Sequence, residues 1–153
     1  MKISYEFYPP MDMNYKKVVE EYSLLSIFEP RFVSITYGAL GSSQKNSIGL
    51  IKAFRENHDI DLVAHLTLVG KSKNQLKLIV NEFKELGVNK IVALRGDVAE
   101  GHFVGHKEGF TNTADFVEFL VNMDMEVIVS AYPEPHPESE GFDFDLNLLK
   151  NKT

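Results

Sequence analysis

The sequence predicts an α/β chain of the (β/α)8-barrel type that stops after about five strands. Three observations carry that expectation. Short continuous apolar runs alternate with amphipathic helical segments, the pattern of a parallel sheet covered on both faces. The Gly-x-Gly-x-x-Gly turn that follows the first strand of a doubly wound dinucleotide fold is missing. Five successive strands each end in polar residues, and in a barrel such residues share the C-terminal face where active sites form.

The first strand is KISYEFYPP, rich in β-formers and stopped by Pro9-Pro10. NYKKVVEEYSLLSIF follows, with Tyr15, Val18, Val19, Tyr22 and Leu25 at helical spacing and Asn14 placed to cap it. RFVSITYGA is the second strand, ended by Gly38. QKNSIGLIKAFREN is the second helix, with Ile48, Ile51 and Phe54 on one side, and DLVAHLTLV is the third strand. Ser72-x-x-Gln75 is a capping box opening a helix that carries Leu76, Ile79, Val80, Phe83 and Leu86, with Gly87 at the C′ position. NKIVALRGD is the fourth strand. A glycine-rich loop leads to TADFVEFLVNM, whose expected stripe is Phe116, Val117, Leu120 and Val121. MEVIVSAYPE is the fifth strand, and FDFDLNLLKNKT begins a last helix.

The totals narrow the function classes. The 153 residues suit one domain or part of a larger one, and 44% hydrophobic content is enough to build a core. The net charge of −6, with no basic run, disfavours nucleic acid as a partner. With no cysteine there is no disulfide, thiolate metal site or cysteine nucleophile. No signal peptide and no apolar run of membrane-spanning length stand out, so a cytoplasmic protein off the membrane is expected.

The strand ends hold Glu6, then Thr36-Tyr37-Gly38, His65-Leu66-Thr67, Arg95-Gly96-Asp97, and Tyr132-Pro133-Glu134 with His136 beyond. Taken singly these have plain explanations. A strand histidine is ordinarily a satisfied core residue, the tyrosines could be packing residues, and Glu6 could pair with Arg95. His102 and His106 lie in a glycine-rich loop without a third ligand, so no metal site is expected. A shared face raises the functional standing of the strand-end set and of nothing else.

SYEFYPP, FVSITYGA, HLTLVGKSKNQLKLIVNEFKELGVNKIVALRGD and AYPEPHPES together resemble the successive strand-end motifs of the methylenetetrahydrofolate reductase family, over essentially the whole chain. The resemblance implies residues 1–153 as the N-terminal portion of a single FAD-containing barrel domain. It further implies reduction of 5,10-methylenetetrahydrofolate to 5-methyltetrahydrofolate by NAD(P)H, a step of one-carbon metabolism and methionine synthesis. Glu6 then matches the family's acid, which protonates folate nitrogen so that the five-membered ring can open to an iminium. That role asks for a carboxyl kept protonated by burial or by a neighbouring anion such as Asp97. Arg95, Gly96 and Asp97 would contact FAD, with Asp97 also reaching the pterin. Thr36, Tyr37, Ala39, His65, Thr113, Tyr132, His136, Asp145 and Lys152 fall on or beside flavin-contact positions. A homo-oligomer is expected where the full barrel forms.

Departures from the family pattern are local, except for length. FTNTAD places Asn112 and Thr113 where the family often has a tyrosine and a small residue, and Leu148 and Asn151 stand where cofactor contacts can be polar or basic. The family continues into strands six to eight, so a partial sequence is expected, with the first and fifth strands as open edges. The alternative is a non-catalytic flavin-binding or assembly half-barrel. Another flavin barrel, such as a proline dehydrogenase-like enzyme, would not share these motifs.

Overall fold

The computed structural model describes residues 2–37, 44–97, 103–131, 134 and 139–152. Expectations for Ala39, Tyr132 and His136 lie outside the described residues. Five strands, β1 (Tyr5–Phe7), β2 (Val33–Ile35), β3 (Leu62–Thr67), β4 (Lys90–Leu94) and β5 (Glu126–Val129), form one sheet. Every pairing is parallel and the spatial order is the chain order. A doubly wound sheet would reverse direction at a switch point. The sequential order is that of consecutive units of a (β/α)8 barrel.

The helices are α1 (Tyr15–Leu25), extended by a 3₁₀ turn at Ser26–Phe28, α2 (Gln44–Asn57), α3 (Lys73–Glu85), α4 (Thr113–Val121) and α5 (Phe142–Lys150). Local chemistry sets their ends. Asn14 Oδ1 accepts the Lys17 N–H at the start of α1. At α3, Ser72 Oγ accepts from the Gln75 N–H at 3.2 Å while the Gln75 side chain accepts from the Ser72 N–H at 2.9 Å. Gly87 follows α3 with φ 71°, as a C′ glycine does.

The apolar stripes face the sheet. Val18, Val19 and Tyr22 of α1, Ile48, Ile51 and Phe54 of α2, Leu76, Ile79, Val80 and Phe83 of α3, and Phe116, Val117 and Leu120 of α4 are buried. Val121, expected in the last stripe, is 55% exposed. One residue beyond Leu120 turns about 100° around the helix, off the packed side. Phe7, Tyr22 and Phe54 pack at centroid separations of 5.3 to 6.2 Å and pin α1 and α2 beneath β1. A fully buried phenylalanine such as Phe54 contributes roughly 1.5–3 kcal/mol. In contrast, α5 buries no side chain, and its Phe142 and Phe144 are about half exposed.

The N-terminal end of the sheet is tied by charges. Arg55 donates to the carbonyls of Ile60, Leu86 and Gly87. Lys90 Nζ sits 2.8 Å from Asp61 and 3.6 Å from Glu126. At the opposite end the β3–β4 ladder runs on past the strands, with the Leu68 N–H bonded to Leu94 O and the Val69 N–H to Arg95 O. Gly96 closes that extension. Its φ is 84°, and a Cβ there would lie 2.6 Å from Val69 Cγ1 and 2.9 Å from Thr67 Cβ.

Gly96→Ala therefore meets both backbone strain and a clash, and should cost about 2–4 kcal/mol in urea unfolding. Gly87→Ala has a similar φ but nothing nearer than 3.8 Å, and should cost only about 1 kcal/mol. Equal losses from the two would refute the close packing at Gly96.

Candidate active site

Register decides which strand residues can meet. Glu6 pairs with Ser34, and Ser34 with Val63, so these point to the face away from the helices. His65, two residues beyond Val63, shares that face. Glu6 and His65 reach toward each other over β2, and His65 Nε2 lies 3.5 Å from Glu6 Oε2. The His65 side chain is 13% exposed and that of Glu6 is 46% exposed, because β1 is an edge strand paired on one side only. The burial expected around the Glu6 carboxyl is thus not supplied by these five strands.

Burial lowers the pKa of His65 below the usual imidazole value, and the Glu6 carboxylate works against that shift. A lowered pKa favours the uncharged imidazole near neutral pH, which weakens the 3.5 Å approach to Glu6 as an ion pair. Thr36 lies beyond β2, its N–H bonded to Phe7 O and its carbonyl accepting from Ser47 Oγ at 2.8 Å. Its own hydroxyl is buried with no hydrogen-bond partner among the described residues. The same holds for the Tyr37 hydroxyl. The Tyr37 ring meets the edge of Phe83, and burial, with Glu82, pushes its phenol upward. Orphaned buried hydroxyls are uncommon in folded chains, and a water, an ion or a ligand atom is what ordinarily completes them.

Arg95 is half-buried, its guanidinium 5.4 Å from the Phe103 ring centre and its Nε donating to Gly96 O. Gly96, expected among the FAD contacts, has a positive φ of 84°. The close approach found is to Thr67 and Val69, so this glycine fixes the exit of β4 against that of β3. Asp97 is exposed just past that turn. Thr113 is the first residue of α4, 8% exposed, behind Asn112, whose Oδ1 caps the helix through the Asp115 N–H. Asp145 is in the first turn of α5, and Lys152 lies just beyond its C-cap, Asn151. Burial lowers the Lys152 pKa and Asp145 raises it.

The fold thus brings Glu6 to His65, and carries the Arg95-Gly96-Asp97 turn against Thr67. Thr113 on α4, Asp145 on α5 and Lys152 just after α5 stand outside that contact set. His106 Nδ1 accepts the Glu108 N–H within its own loop. Among the described residues no group of three or more histidine or carboxylate side chains could hold a metal ion, and no helix is long and apolar enough to cross a membrane. One residue at this end had no sequence-based assignment. Lys71 donates from Nζ to Thr67 Oγ1 at 3.1 Å and lies over the Tyr37 ring. A lysine just before a capping box was the available signal.

Comparison with known proteins agrees with the motifs. The family model described as methylenetetrahydrofolate reductase matches residues 1–153. The chain is 35% identical to 5,10-methylenetetrahydrofolate reductase of Pectobacterium carotovorum, over 99% of this chain and 50% of the relative. It is 32% identical to the Escherichia coli protein of the same name, over 99% and 51%. Methylenetetrahydrofolate reductase 1 of Schizosaccharomyces pombe is 28% identical, over 97% of this chain and 26% of its own length. The chain spans about half the length of the bacterial relatives.

An NMR titration of the His65 imidazole should give a value below the ordinary 6.5. Glu6→Gln should lower it further, because the carboxylate is what raises it. A rise on that substitution would overturn the assignment. The sign for stability follows: a histidine held neutral in the fold takes up its proton more readily when unfolded, so this contribution is lost as pH falls below about 6.5. In unfolding experiments across that range, His65→Gln should flatten the loss.

Proposed function

The chain belongs to the methylenetetrahydrofolate reductase family, and from that membership we propose that it forms the N-terminal portion of a barrel that reduces 5,10-methylenetetrahydrofolate to 5-methyltetrahydrofolate with NAD(P)H. FAD, when bound, would supply the relay that carries hydride from reduced nicotinamide to folate. The observation that carries the reading is the convergence at one sheet end of Glu6 with His65, the orphaned Thr36 and Tyr37 hydroxyls, and the Arg95-Gly96-Asp97 turn. Those hydroxyls, with Arg95, fit a group rich in carbonyl and phosphoryl acceptors.

In this proposal Glu6 delivers the proton that opens the folate ring, and the neutral His65 imidazole orients the carboxyl through the 3.5 Å contact. Arg95 offers a planar cation to the electron-rich edge of the flavin, held in place by the Phe103 ring and by Gly96. Asp97, exposed beside it, would meet the pterin. Thr36, Tyr37, Ala39, His65, Gly96, Thr113, Tyr132, His136, Asp145 and Lys152 complete the proposed cofactor contacts. A cytoplasmic location and a homo-oligomer of the closed barrel belong to the same proposal.

The test is spectroscopic first. The purified chain should carry or take up flavin with its visible spectrum, bleach on addition of reduced nicotinamide without air, and recover with methylenetetrahydrofolate. Glu6→Gln should keep flavin binding and bleaching but slow the folate step by about 10²–10⁴-fold. A chain that binds flavin and never passes hydride to folate would be a binding module. A Glu6→Gln variant with an undiminished folate step would remove Glu6 from the mechanism.

A further inference from the structure

Lys71 is held where a cation is least at ease. It immediately precedes Ser72, the N-cap of the 13-residue α3, whose first turn contains no acidic residue. The positive end of a helix dipole disfavours a cation at that position. Lys71 is half-buried, and burial lowers its pKa with no carboxylate opposing the shift. Among the described residues no carboxylate lies within ion-pair distance of it. Glu82, which lines the same cavity of about 290 Å³ with Gln75, Leu78 and Ile79, does not pair with it.

The ammonium is not an idle surface charge. Nζ donates to Thr67 Oγ1 at 3.1 Å and to Val69 O at 3.4 Å, which leaves one of its three protons undirected. It lies 5.6 Å from the centre of the Tyr37 ring, whose buried hydroxyl has no partner among the described residues. Thr67 and Val69 are also the residues against which Gly96 packs. Lys71 therefore stands where the exits of β2, β3 and β4 come together. The α3 N–H groups are largely engaged elsewhere, that of Lys73 by Glu108 O and that of Gln75 by Ser72 Oγ. The ammonium is the group left to face an anion.

We propose that Lys71 is a phosphate-binding residue, directing its ammonium to a phosphoryl oxygen of a dinucleotide that lies across the exits of β2, β3 and β4. An anion there would offset the helix dipole, the burial and the missing counter-charge together. The inference rests on the proposed dinucleotide site. The phosphate belongs to the flavin dinucleotide or to the reduced nicotinamide dinucleotide, and the experiment separates the two.

The experiment observes the Lys71 side chain by NMR in the full chain, assigned with Lys71→Arg, during titration with inorganic pyrophosphate, FAD, riboflavin and NADH. Pyrophosphate should move the Lys71 resonance and raise its pKa. FAD should do the same and riboflavin should not. A response to NADH alone would assign the phosphate to the nicotinamide dinucleotide. Lys71→Met should weaken FAD binding about tenfold and leave riboflavin binding unchanged, while Lys71→Arg keeps most of the affinity. A Lys71 signal unmoved by pyrophosphate, FAD and NADH alike would overturn the proposal. So would a Lys71→Met variant that loses riboflavin as much as FAD. Wild-type chain that binds pyrophosphate through Lys71 but no flavin would refute the flavin reading and leave Lys71 as an anion site.

Discussion

Five parallel strands laid side by side in chain order impose the constraint on which everything else depends. Parallel pairing sends every strand out of the sheet at the same end, and alternation sends every second side chain to the same face. Phe7, Ile35, Ala64 and Ile91 then fall in one row toward the helices, while Glu6, Ser34, Val63 and Lys90 fall in a row on the other side. A slip of one residue in any strand would exchange these faces, burying Glu6 among the helices. The core and the site are thus specified by the same register.

The two ends of the sheet are built differently. At the N-terminal end polar groups are matched within the chain, by Arg55 on three carbonyls and by Lys90 between two carboxylates. At the C-terminal end, among the described residues, two buried hydroxyls lack partners and a half-buried ammonium lacks a counter-charge. Folding alone favours the first arrangement, since an unmatched buried polar group costs roughly 1–3 kcal/mol. Concentrating the mismatch at one end is the pattern of a scaffold separated from its binding face.

Much of the fold was legible because its signals are local. Asn14, Ser72 with Gln75, and Gly87 act within one turn of chain, and each stands where the sequence places it. The apolar stripes of α1 to α4 follow from spacing alone, with Val121 misread because adjacency in sequence is not adjacency on a helix face. The site was legible only as a set of strand-end residues. That His65 meets Glu6 across an intervening strand depends on pairing register, which is not visible in either motif. In sequence, a lysine before a capping box looks like solvated charge; its half-burial over Tyr37 is visible only in the fold.

By itself the sequence determined the alternation of strands and helices, the caps that bound them, the absence of cysteine chemistry and the polar character of each strand end. Those properties reside in a few consecutive residues, where propensity and side-chain spacing suffice. The tertiary structure alone decided the strand order, the Glu6–His65 contact, the seating of Gly96 on Thr67 and Val69, and the seating of Lys71 over Tyr37. Each joins residues separated by tens of positions or by a whole helix. Which of them touch is settled by the packing of the complete core, and no local preference encodes it.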